Sequence, residues 1–333
     1  MSRRSAEPTG TARVAVVGAG SAAGTRVREA LVRAGVPGER VDLYGSTGGE
    51  TVLTEYGDEA RLMQEPDLAE LGRRDVVFSC EDGDHAARLA CLASSGHTVL
   101  DLADGLKADP RRRLVQLDGA GDTAPVAGAI LAVPHELTIL LLEVLGPLGH
   151  ALGVEEATAF ALRPAADFGD VGLDELRAQT VRLLQFERVP RELFARQLAF
   201  NVVPQFDLEN PAFSTEARVA EETGRLLEWP AGRLAVRVAV VAVFFGHSLQ
   251  LRIRGRGTAA DARSALESGG VRLAGRGRAA PRTPLEAAAE GATTVVDVSD
   301  DGIGGIWAWV VAGDLPARRA DLAVRIAARV CDL

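Results

Sequence analysis

The chain has 333 residues, of which 47% are hydrophobic and 25% charged, a balance typical of a globular protein with room for two domains. Its formal net charge of −9 disfavours nucleic acids and anionic membranes as partners, because both attract clustered Lys and Arg. We expect a flexible tail at residues 1–11 and a cytoplasmic protein with reduced thiols, since no apolar stretch reaches the ~18 residues of a membrane span and the three cysteines are widely spaced.

The first third of the chain alternates short apolar runs with amphipathic segments. The apolar runs predict buried parallel strands at residues 13–17, 41–44, 75–80 and 98–102. Apolar residues at helical spacing predict helices between them, one ending near Gly35 and another over residues 86–92. Strands that alternate with helices form a parallel sheet with helices on both faces. This part of the chain is therefore predicted to be an α/β domain.

A glycine-rich loop joins the first predicted strand to the first predicted helix. Its glycines have GxGxxxG spacing, and a helix N-terminus attracts a diphosphate where the backbone can be approached closely. We predict a Rossmann-type, doubly wound dinucleotide-binding domain over residues 12–134, joined by a C-terminal helix over residues 316–331. A tight strand-to-helix turn with an empty crevice is the alternative. The predicted cofactor-binding residues are Gly18, Gly20, Ser21, Ala22, Gly24 and Ser46.

The end of the second strand favours NAD over NADP. An Arg at this point would accept the 2′-phosphate of NADP, and residues 44–50 contain none. Either nucleotide remains compatible with the glycine loop itself.

The pattern changes after Pro134. A long apolar helix is predicted towards Gly153, and residues 234–254 are apolar or alternating over a length too great for one straight strand, which indicates a bend. Fewer helices and longer strands predict an α+β domain over residues 135–315 with a mostly mixed or antiparallel sheet. The other predicted elements here are a helix at residues 173–184 and strands at 155–162, 294–298 and 306–311.

Several phrases taken together resemble the aspartate-semialdehyde dehydrogenase family. Gly18, Ala19 and Gly24 match the opening Gly-Ala-x-Gly-x-x-Gly of that family, with the middle glycine one place early. Family phrases follow in the expected order at residues 174–180, 199–205 and 245–248. The resemblance spans about residues 12–331. It implies an NAD(P)-binding domain, a second domain for substrate binding and dimerisation, and a homodimer.

The resemblance does not extend to the nucleophile. Active members form a thioester through a Cys at the start of the long helix, with a His as acid and base. Alignment puts Glu136 at the position of that Cys and keeps His247 at the position of the His, while all three cysteines fall elsewhere. A carboxylate adduct of an aldehyde does not readily release hydride. We therefore expect a cysteine-lacking paralogue, a pseudoenzyme for thioester chemistry in which Glu136 also suits the helix dipole.

Other family positions have changed as well. The resemblance places Arg163 where the family has a substrate-contacting Gln, Lys107 where it has an Arg, and Arg218 where it has a Lys; these are the candidate substrate-binding residues. Val240 aligns with the Arg that binds the substrate carboxylate. Leu102 replaces an Asn, and the Asn-Leu-Arg-Lys-Gly cofactor motif is reduced to residues 314–318.

Two other functions remain open. The chain could be an active NAD(P)-dependent oxidoreductase on a small anionic aldehyde or oxo substrate, with His247 and Glu136 as acid and base and Arg163 holding the anion in an interdomain crevice. It could also be a non-enzymatic partner of a true dehydrogenase or a nucleotide sensor. We predict no metal site, because neighbours on a helix such as His135 and Glu136 diverge by about 100°.

Overall fold

A computed structural model describes residues 11–45, 52–80, 85–107, 109–115, 128–208, 214–275 and 280–333. The chain divides into two compact units, Met1–Pro134 with Pro316–Leu333, and His135–Leu315. Residues 1–10 of the predicted tail and the candidate cofactor residue Ser46 lie outside the described residues. Within the described ranges, no helix is both long and apolar enough to cross a membrane.

The first unit contains a parallel sheet with strand order β2-β1-β5-β6-β8-β7 in the part that the structure describes. Its strands are β1 (Val14–Val17), β2 (Val41–Tyr44), β5 (Val76–Ser79), β6 (Thr98–Asp101), β7 (Arg112–Leu114) and β8 (Ile130–Ala132). A separate hairpin is formed by β3 (Val52–Tyr56) and β4 (Glu59–Met63). The helices are α1 (Ala22–Arg33), α2 (Leu68–Leu71), α3 (His85–Ser94) and, from Pro316 onwards, α9 (Leu315–Val330).

Side-chain alternation along the buried strands explains why helices cover both faces of this sheet. Val14 and Val16 point to the core formed with α1 and α9, whereas Ala15 and Val17 point to the core that includes Leu89 of α3. The doubly wound α/β fold predicted from the sequence is confirmed. The β3–β4 hairpin was not predicted, and neither were β7 and β8, which have only three residues each and therefore carry little periodicity.

The second unit contains a mixed sheet with strand order β10-β11-β9-β12-β15-β14-β13 among the described residues. Its strands are β9 (Glu156–Arg163), β10 (Val202–Pro204), β11 (Leu234–Val241), β12 (His247–Arg254), β13 (Arg272–Leu273), β14 (Thr294–Asp300) and β15 (Ile306–Ala312). Its helices are α4 (Glu136–Leu152), α5 (Gly169–Leu184), α6 (Thr215–Leu226), α7 (Ala259–Ser268) and α8 (Pro284–Glu290). Apolar side chains of α4, α6 and α7 pack against one face of this sheet.

The bend predicted within residues 234–254 is confirmed. β11 pairs with β9 in parallel and β12 pairs with β9 antiparallel, so the chain leaves the sheet and returns on the other side of β9. Gly246 sits in this connection with φ +84°, and a Cβ there would overlap with the carbonyl of Pro284. The turn therefore brings the start of α8 against the start of β12, where His247 lies.

Candidate functional site

The glycine loop of the first unit is packed tightly at one glycine and left open at another. A Cβ on Gly24 would overlap with the carbonyl of Gly18, so only glycine lets α1 approach the end of β1. A Cβ on Gly20 would meet only the side chain of Met63, at 3.5 Å. The backbone at Gly20 is thus open to approach, which is what a bound diphosphate needs.

Ser21 ties this loop to the neighbouring strand. Ser21 is the N-cap of α1. Its Oγ accepts a hydrogen bond from Gly24 N at 3.0 Å and donates one to the carbonyl of Cys80 at 2.9 Å. Ala22 follows as the first residue of the helix. Cys80 comes directly after β5, so one hydroxyl joins the carboxyl ends of β1 and β5, adjacent strands at which the strand order reverses.

In the second unit, Glu136 is the first residue of α4 and is buried with His135 before it. His135 is the N-cap, with φ −58° and ψ 147°, and its Nδ1 accepts from Leu137 N at 3.1 Å. Its Nε2 lies 3.4 Å from Glu136 Oε1. The predicted divergence of these two side chains was wrong, because a residue with extended backbone does not follow the angular spacing of a helix.

Arg163 connects Glu136 to a second carboxylate. It ends β9, and its Nε donates to Asp167 Oδ2 at 2.7 Å while Nη2 donates to Glu136 Oε1 at 3.2 Å. Nη1 donates to Gln205 Oε1 at 3.4 Å, and the guanidinium lies over the ring of Phe168 at 5.3 Å. The side chains of Arg163, Glu136 and Asp167 are exposed by only 9%, 8% and 1%. The guanidinium is therefore buried between two carboxylates.

His247 completes this row of charges. It is the first residue of β12 and is 1% exposed, its Nδ1 lies 3.1 Å from Gly313 O, and its Nε2 lies 2.9 Å from Asp167 Oδ2. Both ring nitrogens face oxygen acceptors, so the ring is fixed in orientation. Glu136, Arg163, Asp167 and His247 form one hydrogen-bonded series, which we call the buried charge network. Asp167 was missed by the sequence analysis, although it lies four residues after Arg163 in the chain.

A second buried carboxylate supports the start of α4. Glu222 Oε2 accepts from His135 N at 2.7 Å and from Thr138 Oγ1 at 2.8 Å, and its Oε1 accepts from Arg218 Nε at 2.8 Å. A carboxylate at a helix N-terminus is favourable because the unpaired N–H groups carry partial positive charge. Arg218 thus pairs with Glu222. Lys107 lies in the first unit, exposed, in the turn after β6.

A pocket of about 310 Å³ lies beside His247 in the second unit. Its titratable lining residues are Asp167, His247 and the half-buried Asp314. The remaining lining is formed by Pro164, Ala166, Phe245, Gly246, Leu285, Ala288 and Ala289. The pocket therefore has largely apolar walls and a polar end formed by part of the buried charge network.

The three cysteines differ in exposure, and none of them lines the pocket beside His247. Cys80 is buried and Cys91 is exposed, and burial raises the pKa of the Cys331 thiol to about 11. Thiolate is the reactive form of cysteine, so Cys331 is protonated at neutral pH. Within the part of the chain that the structure describes, no group of three or more His, Cys, Asp or Glu side chains could hold a metal ion.

Comparison with known proteins places this geometry in context. The model of the family "Semialdehyde dehydrogenase, dimerisation domain" matches residues 145–315. Aspartate-semialdehyde dehydrogenase 2 of Vibrio cholerae is 26% identical over 329 residues, covering 94% of this chain and 96% of the relative. A protein of Pseudomonas aeruginosa named USG-1 protein homolog is 27% identical over 251 residues, covering 72% of this chain and 73% of the relative.

Solved structures agree with these sequence matches. The structure of aspartate semialdehyde dehydrogenase II of Vibrio cholerae, complexed with ASA, is 25% identical and superposes with a TM-score of 0.79, covering 96% of this chain and 98% of that one. The similarity therefore extends over both units.

Proposed function

The chain belongs to the semialdehyde dehydrogenase family, and we propose that it is an aspartate-semialdehyde dehydrogenase-like protein that lacks thioester dehydrogenase activity. The observation that carries this proposal is the 3.2 Å ion pair between Glu136 and Arg163 at the start of α4. The resemblance puts Glu136 at the position of the family's catalytic Cys. The carboxylate there belongs to a buried ion pair and does not act as a nucleophile.

The chemistry of the reaction supports this reading. A thiolate adds to an aldehyde, and the adduct transfers hydride to the nicotinamide as it becomes a thioester. A carboxylate is a weaker nucleophile, and its ion pair with a guanidinium lowers its nucleophilicity further. His247 would also have to exchange a proton with the substrate, yet its Nε2 is bonded to Asp167 at 2.9 Å. The side chains at the nucleophile and acid–base positions, Glu136 and His247, are thus both engaged in contacts within the protein.

We further propose that the glycine loop still binds a dinucleotide. The residues fit such a ligand, because the backbone at Gly20 can be approached closely. The N-terminus of α1, which Ser21 caps, offers its partial positive charge beside that backbone. Gly18, Gly24 and Ala22 would complete the contacts to the diphosphate. NAD is favoured over NADP because residues 44–50 contain no Arg. A bound nicotinamide would supply a hydride acceptor, and the role of the chain would be to hold the dinucleotide in place.

The first experiment measures turnover. Purified protein with aspartate semialdehyde, phosphate and either NAD or NADP is expected to reduce no cofactor above the rate without enzyme. A family member with its catalytic Cys serves as the positive control in the same buffer. Phosphate-dependent reduction that is lost in Glu136→Gln would contradict the proposal and assign the nucleophile to this carboxylate.

One observation favours a second candidate, an NAD(P)-dependent reductase of a small oxo compound. The pocket of about 310 Å³ is lined by His247, whose imidazole could donate a proton to a developing alkoxide if the alkoxide took the place of Asp167 at Nε2. The same assay, run in the reverse direction with NADH or NADPH and a panel of small aldehydes and oxo acids, tests this candidate. Oxidation of the cofactor that disappears in His247→Asn would select it over the non-enzymatic protein.

We also propose that the chain forms a homodimer through the second unit, as the name of the matching family suggests. On the face of the sheet opposite α4, α6 and α7, Phe160 and Trp309 flank Gln250 on adjacent strands and are 40% and 36% exposed. Large apolar side chains in a row on an exposed sheet face are typical of an interface.

Light scattering is expected to give a dimer mass for the unmodified chain and a monomer mass for Phe160→Glu. Leu53→Glu, on the exposed hairpin of the first unit, is the matched control and should remain dimeric, since Leu53 is 66% exposed there. A monomeric unmodified chain at micromolar concentration, or a Phe160→Glu variant that stays dimeric, would refute this interface.

A further inference from the structure

We propose that Glu65 supplies the carboxylate that binds the adenosine ribose of the dinucleotide, and that this residue selects NAD over NADP. The inference rests on the proposed function, because it assigns a role at the same nucleotide site. Domains of this fold usually take such a carboxylate from the end of the second strand. Here β2 ends with Tyr44 and is followed by Gly45, and neither residue is acidic.

A neighbouring segment brings an acid to the end of β2. Gln64, directly after β4, pairs with Tyr44 in parallel. The N–H of Gln64 donates to Leu43 O at 3.0 Å, and its carbonyl accepts from Gly45 N at 2.9 Å. Continuing this register by one residue sets Glu65 opposite Gly45. The β3–β4 hairpin therefore provides, from a second part of the chain, the acid that β2 does not carry at its end.

Met63 shows which face of this segment is turned to the glycine loop. A Cβ on Gly20 would lie 3.5 Å from Met63 Cε, and a Cβ on Gly45 would lie 4.0 Å from Met63 Cβ. The Met63 side chain thus lies between the loop proposed to hold the diphosphate and the end of β2. Residues two apart in an extended segment point to the same face, which puts Glu65 on the face of Met63. Glu65 is exposed, so a ligand can reach its carboxylate.

The charge of Glu65 accounts for the selection. With the diphosphate at the α1 N-terminus, the adenosine ribose lies towards the end of the second strand. A carboxylate there accepts hydrogen bonds from the ribose hydroxyls of NAD, and its charge strengthens these bonds. The 2′-phosphate of NADP would meet a like charge instead. Arg61, the cation of β4, donates to Val41 O at the opposite end of β2 and does not offset this charge.

The experiment measures nucleotide affinities of the full chain by calorimetry. The unmodified chain is expected to bind NAD at least tenfold more tightly than NADP. Glu65→Gln should weaken NAD about tenfold, the effect of losing a hydrogen bond to a charged group, and should leave NADP no weaker. A second pair of ligands isolates the hydroxyl: 2′-deoxy-ADP should bind the unmodified chain several-fold more weakly than ADP, whereas Glu65→Gln should bind the two equally.

Two variants serve as matched controls and should keep the affinities of the unmodified chain. Glu59→Gln makes the same change at the start of β4, where the side chain is 64% exposed. Glu50→Gln removes the acid that follows β2 in the sequence. The chain has two methionines, Met1 and Met63, so the ε-methyl NMR signal of Met63 reports whether a nucleotide binds beside Gly20. This signal should shift when NAD is added.

The outcomes separate this inference from the proposal on which it rests. NAD binding that shifts the Met63 signal but is unchanged in Glu65→Gln, or is weakened equally in Glu59→Gln or Glu50→Gln, would overturn the role of Glu65 and leave the dinucleotide site standing. If neither nucleotide binds, or if binding does not shift the Met63 signal, the dinucleotide site itself is refuted and the role of Glu65 with it.

Discussion

Replacing Arg163 with Met is expected to lower the free energy of unfolding by about 3–5 kcal/mol, the range found when one partner of a buried ion pair is removed. The variant would leave Glu136 and Asp167 in the protein interior, 8% and 1% exposed, without the guanidinium that now bonds both. Met has a similar length and can still pack against Phe168, so the loss would be mainly electrostatic. Chemical denaturation monitored by circular dichroism measures it.

The matched control is Arg177→Met on α5. Arg177 bonds Asp174 at 2.7 Å, the same distance as the Arg163–Asp167 contact, but the two side chains are 66% and 68% exposed. Solvent screens such a pair, and its loss should cost about 0–1 kcal/mol. Adding Glu136→Gln to Arg163→Met should recover part of the stability, because one unpaired charge is removed. Equal effects of Arg163→Met and Arg177→Met would mean that the buried charge network does not stabilise the second unit.

Gly24→Ala is expected to destabilise the protein by about 3 kcal/mol, at the upper end of the cost of overpacking. The added Cβ would overlap with the carbonyl of Gly18 and lie 2.8 Å from Ala19 Cα. All these atoms are backbone, so no side-chain rotation can relieve the contact. The helix α1 would have to move away from β1, which would disturb the core that includes Val27 and Leu31.

Gly20→Ala separates the role of the loop in folding from its role in binding. The new methyl would meet only the flexible side chain of Met63 at 3.5 Å, so the melting temperature should stay within about 1 °C of the unmodified chain. Dinucleotide binding should nevertheless weaken, because the methyl would stand where the diphosphate approaches. Thermal shift with NAD and NADP measures both quantities. A stable Gly24→Ala variant would disprove the packing argument, and no shift with either nucleotide in the unmodified chain would disprove cofactor binding.

The fold was predicted from patterns of apolar and polar residues within single segments of the chain. Four strands of the first unit, β1, β2, β5 and β6, were predicted within about one residue, because buried parallel strands are continuous apolar runs bounded by turns. The helix α4 and the bend between β11 and β12 were equally visible, since length and periodicity are properties of a single segment. The hairpin of β3 and β4 was missed, because its exposed Leu53 and Leu62 break the alternation of buried and exposed residues that marks a strand.

The α/β class and the GxGxxxG spacing of the glycine loop could be read from residue order alone, and so could the resemblance that puts Glu136 at the position of the family's Cys. The contacts that connect the candidate residues to one another could not be read from residue order. Asp167 meets His247 across 80 residues of chain, and Glu222 reaches His135 across 87. Such contacts are set by the order in which strands lie in the sheet, and no local periodicity records them. The tertiary structure alone therefore turns a set of candidate catalytic residues into a buried network in which each charge has an oppositely charged neighbour.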